Sequence, residues 1–198
     1  MRVRTAVTGL VAAACAGVLM SPATAVAAPQ AERESHCINN SGTQTTTCYG
    51  TFREAVAAVT GSRVTDVPTQ AKAGKDKQFI NKLNASIKSS AAKKGSFGAA
   101  NQANYIRVIL FEDANYGGSS YINYGPGGCR DDGFWNGHHD NLSQVNFNDR
   151  TSSLKTASNC YVELFSAAYF QGARQFYTAD TSYVGNAMND QASSFGLT

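Results

Sequence analysis

The chain has 198 residues, five cysteines and a formal net charge of +3. That charge is unevenly placed: residues 28–104 carry ten basic and five acidic groups, whereas residues 105–198 carry five and nine. An acidic C-terminal half argues against nucleic acid as a partner and suits cations, and with no apolar run reaching the ~20 residues that cross a bilayer, no membrane insertion is expected.

Residues 1–27 pass from a basic start, MRVRT, through the apolar AVTGLVAAACAGVLM to a small-residue site at Ala25-Val26-Ala27. This is the pattern of a cleaved secretory signal peptide, so a secreted, extracellular protein is expected. Four cysteines then remain, Cys37, Cys48, Cys129 and Cys160. An even number in an exported chain reads as two disulfide bonds with three open pairings. Nearest-neighbour pairing is the expectation, since each bridge would stay within one region. No C-x-x-C spacing supports a metal site instead.

Residues 28–66 form an N-terminal disulfide segment. Its HCINNSGTQTTTCYG is rich in turn residues, and the following TFREAVAAVTGSRV places Phe52, Ala55, Val56 and Val59 at helical spacing. Thr51 and Glu54 can make a capping box and Gly61 can end the helix. The apolar face of this short helix needs a partner, either the rest of the chain or another protein. Residues 67–103 hold seven lysines, one acid and many Ala, Ser and Gly. That composition predicts a Lys/Ala/Ser-rich linker, with only a weak helical stripe at Phe79, Ile80, Leu83 and Ile87.

From residue 104 the texture becomes that of strands and hairpins, first in YIRVILFEDANYGGSSYINY and again in CYVELFSAAYFQGARQFYTA. Two units repeat. Phe111-x4-Tyr116-x-Gly118 is matched by Phe165-x4-Phe170-x-Gly172, and each is followed by a polar hexapeptide, NDRTSS at 148–153 and NDQASS at 189–194. One ring can pack over the turn while the glycine takes a positive φ. The first unit is thirteen residues longer, an insertion falling within residues 125–141, which hold the single tryptophan, Trp135.

With these four elements in alternating order over residues 104–198, the chain resembles the βγ-crystallin family, in particular its microbial calcium-binding branch. The resemblance implies an all-β domain of two Greek-key motifs packed as a sandwich. Its expected core is Val108, Leu110, Tyr121, Val145, Phe147, Leu154, Val162, Leu164, Phe176 and Leu197. It further implies Ca2+ ligands: the carboxylates of Asp149 and Asp190, the hydroxyls of Ser152 and Ser193, and the carbonyls of Arg150, Gln191, Glu112 and Ser166, each ion drawing on both units. Ser153 and Ser194 would bond the folded hairpins. Calcium takes six to eight hard oxygens with tolerant geometry, which suits such loops. The competing reading is a hexapeptide with a structural role alone.

Other function classes have less support. Secreted bacterial metalloproteinase inhibitors of crystallin type are similar in size, export and disulfide usage, so a secreted protease is an alternative partner, with no reactive loop residue identified. A killer-toxin-like role is a third class, weakened by the lack of an amphipathic segment long enough to insert. His138 and His139 are adjacent, and neighbours on an extended segment face opposite ways, which disfavours a shared transition metal. No catalytic motif for an enzyme is found. A monomer is expected.

Overall fold

The residues described by the computed structural model, 33–93 and 104–198, order themselves as two strands, three helices and then seven strands. The expected signal peptide and its expected cleavage site lie outside the described residues, as do positions 94–103. Strands β1 (His36–Asn40) and β2 (Thr45–Tyr49) make an antiparallel hairpin in which Cys37 faces Cys48. The disulfide bonds are Cys37–Cys48 and Cys129–Cys160, the nearest-neighbour pairing.

Helix α1 (Phe52–Thr60) starts and stops where its sequence dictates. The Thr51 hydroxyl accepts the Glu54 N–H at 3.2 Å and donates to the Glu54 carboxylate at 2.9 Å. Gly61 closes the helix at φ 64°, a left-handed conformation that costs glycine little. The stretch expected as a linker is instead helical over much of its length: α2 (Gln70–Lys75) and α3 (Phe79–Lys93) occupy it. Composition misleads here because the lysines can sit on solvent faces while a narrow stripe, Phe79, Ile80, Leu83 and Ile87, is enough to bury. Asn84 ties α3 to the strand region, donating to the Ile106 carbonyl at 3.0 Å and accepting the Ile106 N–H at 2.8 Å.

The first sheet has the order β2-β1-β4-β3-β6, with β3 Asn104–Asp113, β4 Gly117–Pro126 and β6 Ser153–Thr156. The N-terminal hairpin joins it through a parallel β1–β4 pairing. The second sheet is β5-β9-β7-β8, with β5 Gly137–His139, β7 Val162–Ala167, β8 Gln171–Tyr177 and β9 Ser194–Leu197. The two sequence units interlock: β5 comes from the first unit yet pairs with β9, while Thr181 of the second unit bridges to Leu154 in β6. This exchange is what makes two Greek keys one sandwich.

Two cores result. Val108, Leu110, Tyr121, Phe147, Leu154, Val162, Leu164 and Leu197 pack between the sheets, as expected, joined by Phe195 and Met188. Val145 is only partly buried against them. Phe176 departs from expectation at 50% exposed, and its neighbour Tyr177 is the buried one. In a strand successive side chains alternate faces, so an error of one residue in register exchanges inside for outside. The second core lies on the other face of the first sheet, where Ile106, Ile109, Phe111 and Ile122 meet Phe52, Val56, Phe79 and Leu83 of the helices. The unbroken apolar run Val108-Ile109-Leu110-Phe111 is what a strand covered on both faces requires.

Candidate metal centre

The two folded hairpins are built alike. Asn115 and Tyr116 have φ of 58° and 68°, Tyr169 and Phe170 of 58° and 61°, and the glycines that follow, Gly118 and Gly172, of 68° and 81°. Each hairpin is locked by the last serine of its hexapeptide. Ser153 Oγ accepts the Tyr116 N–H at 3.0 Å and donates to the Asp113 carbonyl at 2.6 Å. Ser194 Oγ does the same with the Phe170 N–H at 3.0 Å and the Ala167 carbonyl at 2.7 Å.

The hexapeptide loops lean on each other. Asp149 N–H donates to the Ala192 carbonyl at 3.0 Å and Asp190 N–H to the Thr151 carbonyl at 3.2 Å. Ser152 N–H reaches the Phe111 carbonyl at 2.9 Å and Ser193 N–H the Phe165 carbonyl at 2.8 Å, so each serine is placed beside its own hairpin. Both aspartates sit at φ 54°, a left-handed conformation that Asp tolerates better than most residues. Their carboxylates are thereby aimed at the opposite loop.

The pairing that follows is crossed. Ser152 Oγ lies 3.1 Å from Asp190 Oδ1, and Ser193 Oγ lies 3.2 Å from Asp149 Oδ1. Ser193 Oγ is also 3.3 Å from the Ser166 carbonyl. Thus Asp149, Ser193 and Ser166 are brought together on one side, and Asp190 and Ser152 on the other. Asp149 and Ser152, three positions apart in one turn, belong to different clusters. Among the described residues the matching contact from Ser152 to the Glu112 carbonyl is not formed. For Arg150 and Gln191, expected to offer carbonyls, the defining contacts are those of the side chains. Arg150 Nη2 and Nε donate to Glu112 Oε1 at 2.6 and 3.0 Å, and Gln191 Nε2 donates to the Asp190 carbonyl at 2.7 Å.

Two further residues take part. Asn148 Nδ2 donates to Asp149 Oδ2 at 2.6 Å and Asn189 Nδ2 to Asp190 Oδ2 at 2.8 Å, each steering its aspartate and leaving Oδ1 toward the serine. The repetition of Asn at the first place of both hexapeptides is the signal that could have found them. Glu112 itself is committed to its hairpin. Burial alone would raise its carboxyl pKa, but the Ser119 N–H and hydroxyl and the Arg150 guanidinium outweigh that and hold it below the ordinary value. In the second unit the Ser166 hydroxyl takes this place, accepting the Ala173 N–H at 2.8 Å.

The donors fit a hard cation. Two oxygens held ~2.4 Å from one calcium ion, at roughly 80–90° to each other, would stand about 3.1–3.4 Å apart. The Ser–Asp and Ser–carbonyl separations fall in that range. Among the described residues no three His, Cys, Asp or Glu side chains gather in a metal-holding group. The candidate centres differ in kind from such groups, each combining one carboxylate with one hydroxyl, and main-chain oxygen besides. His138 and His139 do not form an alternative. His138 is exposed while His139 is turned inward, bonded to the Tyr121 hydroxyl at 2.9 Å and the Asn141 carbonyl at 3.1 Å.

A sandwich of two interlocked Greek keys, with the polar loop of each laid on its own hairpin and against the polar loop of the other, is a crystallin-type domain. Comparison with known proteins agrees. A βγ-crystallin domain from Clostridium beijerinckii shares 35% identity, the match covering 46% of this chain and 95% of that one, with a TM-score of 0.37. A βγ-crystallin domain from Flavobacterium johnsoniae shares 26% identity over 46% of this chain and 92% of that one, with a TM-score of 0.35. No family model and no curated protein matches. By its identity with the clostridial domain over nearly all of that domain's length, the chain belongs to the βγ-crystallin family.

Proposed function

We propose that this chain is an exported calcium-binding protein whose βγ-crystallin-type domain is stabilised by two ions, each drawing ligands from both sequence units. The observation that carries the reading is the crossed placement of Asp190 beside Ser152 and of Asp149 beside Ser193. These hydroxyls and carboxylates bond each other across the two units as they stand, and the same oxygens are spaced to share one hard cation. Calcium there would act as a staple, neutralising the carboxylate and joining the units. With one formal carboxylate per site the affinity is expected in the range of ~10⁻⁵ to 10⁻³ M. Calorimetric titration with CaCl2, alongside melting in calcium and in chelator, tests the reading on wild type and on Asp149→Ala/Asp190→Ala. Loss of both the binding heat and the thermal shift in the double variant is the expected result; a thermal shift that survives it refutes the assignment.

One observation favours a second reading, proteinase inhibition. The inserted segment of the first unit is braced from below. Buried Arg107 donates to the carbonyls of Pro126, Gly127 and Asn136, and Asn136 Nδ2 donates to those of Arg130 and Phe134. Phe134 is held out in water at 75% exposure. A stiff loop presenting one ring loses little entropy on entering a partner's cleft. Assays against a panel of metalloproteinases and serine proteinases decide it: inhibition that Phe134→Ala abolishes supports the loop, and none across the panel removes it.

A further inference from the structure

The outer faces of the two sheets have opposite fates. Phe111 and Phe165 occupy equivalent places in the two units, so Ile109 corresponds to Glu163 and Ile122 to Phe176, and each pair is opposed across its hairpin. In the first sheet Ile109 and Ile122 lie buried beneath the helices. In the second sheet Phe176 is half exposed, and Glu163 is ion-paired at 3.2 Å to Arg174, whose side chain is 71% exposed. Among the described residues no helix covers this face.

Rings flank that ion pair. Tyr161 and Phe176 meet edge to face at 5.9 Å. Trp135 lies over Gly196, where an added Cβ would come within 2.5 Å of the indole, and meets Phe170 at 4.3 Å between ring centroids with the planes tilted by 55°. Gly196 pairs directly with Glu163, so the indole and the carboxylate are neighbours. With strands ~4.8 Å apart, the Trp135 indole above Gly196 of β9 and Phe176 on β8 stand about 10 Å apart with the charged pair between them.

We infer that this face binds a neutral polysaccharide, with sugar rings lying against Trp135 and Phe176 and their hydroxyls bridging Glu163 and Arg174. The chemistry discriminates among partners. The centre of a protein–protein interface is enriched in aromatic residues and Arg but depleted of Glu, whereas here the Glu163 carboxylate occupies the middle. A polyanion is disfavoured by nine acidic against five basic groups in residues 105–198. A sugar has what remains, apolar C–H faces for the negative faces of aromatic rings and a rim of hydroxyls that both donate and accept.

Trp135 is the single tryptophan, so its emission reports this surface alone. The mature protein is titrated with cello-, chito- and xylo-oligosaccharides and passed over insoluble cellulose, chitin and xylan. The expected result is a saturable blue shift with one series and retention on the matching polymer. Phe176→Ala and Glu163→Gln should each weaken binding at least tenfold, with Glu163→Gln keeping the wild-type melting temperature as a check on folding. No emission change and no retention with any of the three overturns the inference, and so does retention that both variants keep. Concentration-dependent self-association abolished by Phe176→Ala also overturns it, in favour of a contact between copies.

Discussion

Replacing Asp190 and Ser152 together should cost the protein one calcium site, whereas replacing Asp149 and Ser152 together should cost two, although the latter pair shares a hexapeptide. The expectation comes from the crossed contacts, 3.1 Å between Ser152 and Asp190 and 3.2 Å between Ser193 and Asp149. Calcium at 100 times its dissociation constant adds ~2.7 kcal/mol per site, and a ligand loss that weakens binding a hundredfold leaves only ~0.4 kcal/mol of that. For a body of this size, Arg33–Thr198, 1 kcal/mol moves the melting temperature by about 2–4 °C, so one site is worth roughly 5–11 °C. Scanning calorimetry of both double variants, in calcium and in chelator, reads the difference. In Asp190→Ala/Ser152→Ala half or more of the calcium-dependent shift should remain, and in Asp149→Ala/Ser152→Ala almost none. The opposite order would mean that each hexapeptide is a self-contained site, and the crossed geometry would be wrong.

Stability should also depend on pH through two inward histidines. Burial lowers the pKa of His36 and of His139 from 6.5, outweighing the pull of nearby carboxylates, so the unfolded chain takes up protons first as pH falls. Their contribution is complete above about pH 6.5 and declines below it. Urea midpoints should therefore drop between pH 7 and 5.5, and less steeply in His139→Asn; an unchanged slope refutes the role. Glu112 adds a second decline under more acidic conditions, because its lowered carboxyl stabilises above the ordinary value of 4.5 and that share is lost as pH falls past it. Opening the Cys129–Cys160 bridge with a paired serine substitution frees a 31-residue separation and should cost about 3–4 kcal/mol in denaturant unfolding. A loss under 1 kcal/mol would show that the Arg107 bonds already fix the segment.

The features legible in the sequence were those with a local cause. Thr51, Glu54 and Gly61 bound α1 because caps are set within one turn of chain, and Ser153 and Ser194 lock hairpins whose aromatic and glycine spacing repeats visibly. That each ion would draw on both units came with the family resemblance, but which aspartate meets which serine was hidden, since it depends on a left-handed φ at Asp149 and Asp190 and on loops 41 residues apart in sequence. The helices within the supposed linker were hidden for a different reason. Their lysine-rich faces dominate the composition, while the surface that holds them, Ile106, Ile109, Phe111 and Ile122, belongs to strands far along the chain. Val108 to Phe111 did carry the warning, as a strand without alternation has no solvent face.

The helical layer on the first sheet makes the two candidate centres unequal. On the first hairpin, Gln70 Nε2 donates to the carbonyls of Tyr116 and Gly118 at 3.2 and 2.7 Å, Gly74 packs against the Tyr116 side chain, and Lys155 sits 5.6 Å from the same ring while bonding the Gly74 carbonyl and Asp180. The second hairpin has Tyr169 60% exposed at its tip. On the calcium reading, the Asp149–Ser193–Ser166 centre already holds three oxygens at ligand spacing and should fill first. The Asp190–Ser152 centre must draw the Glu112 carbonyl inward against a hairpin gripped by α2, and that work is subtracted from its affinity. Two calorimetric steps are expected, and Gln70→Ala, by loosening the grip, should tighten the weaker step and leave the stronger one unchanged. Equal shifts in both steps would show that the helices stabilise the sandwich as a whole and do not act through the first hairpin.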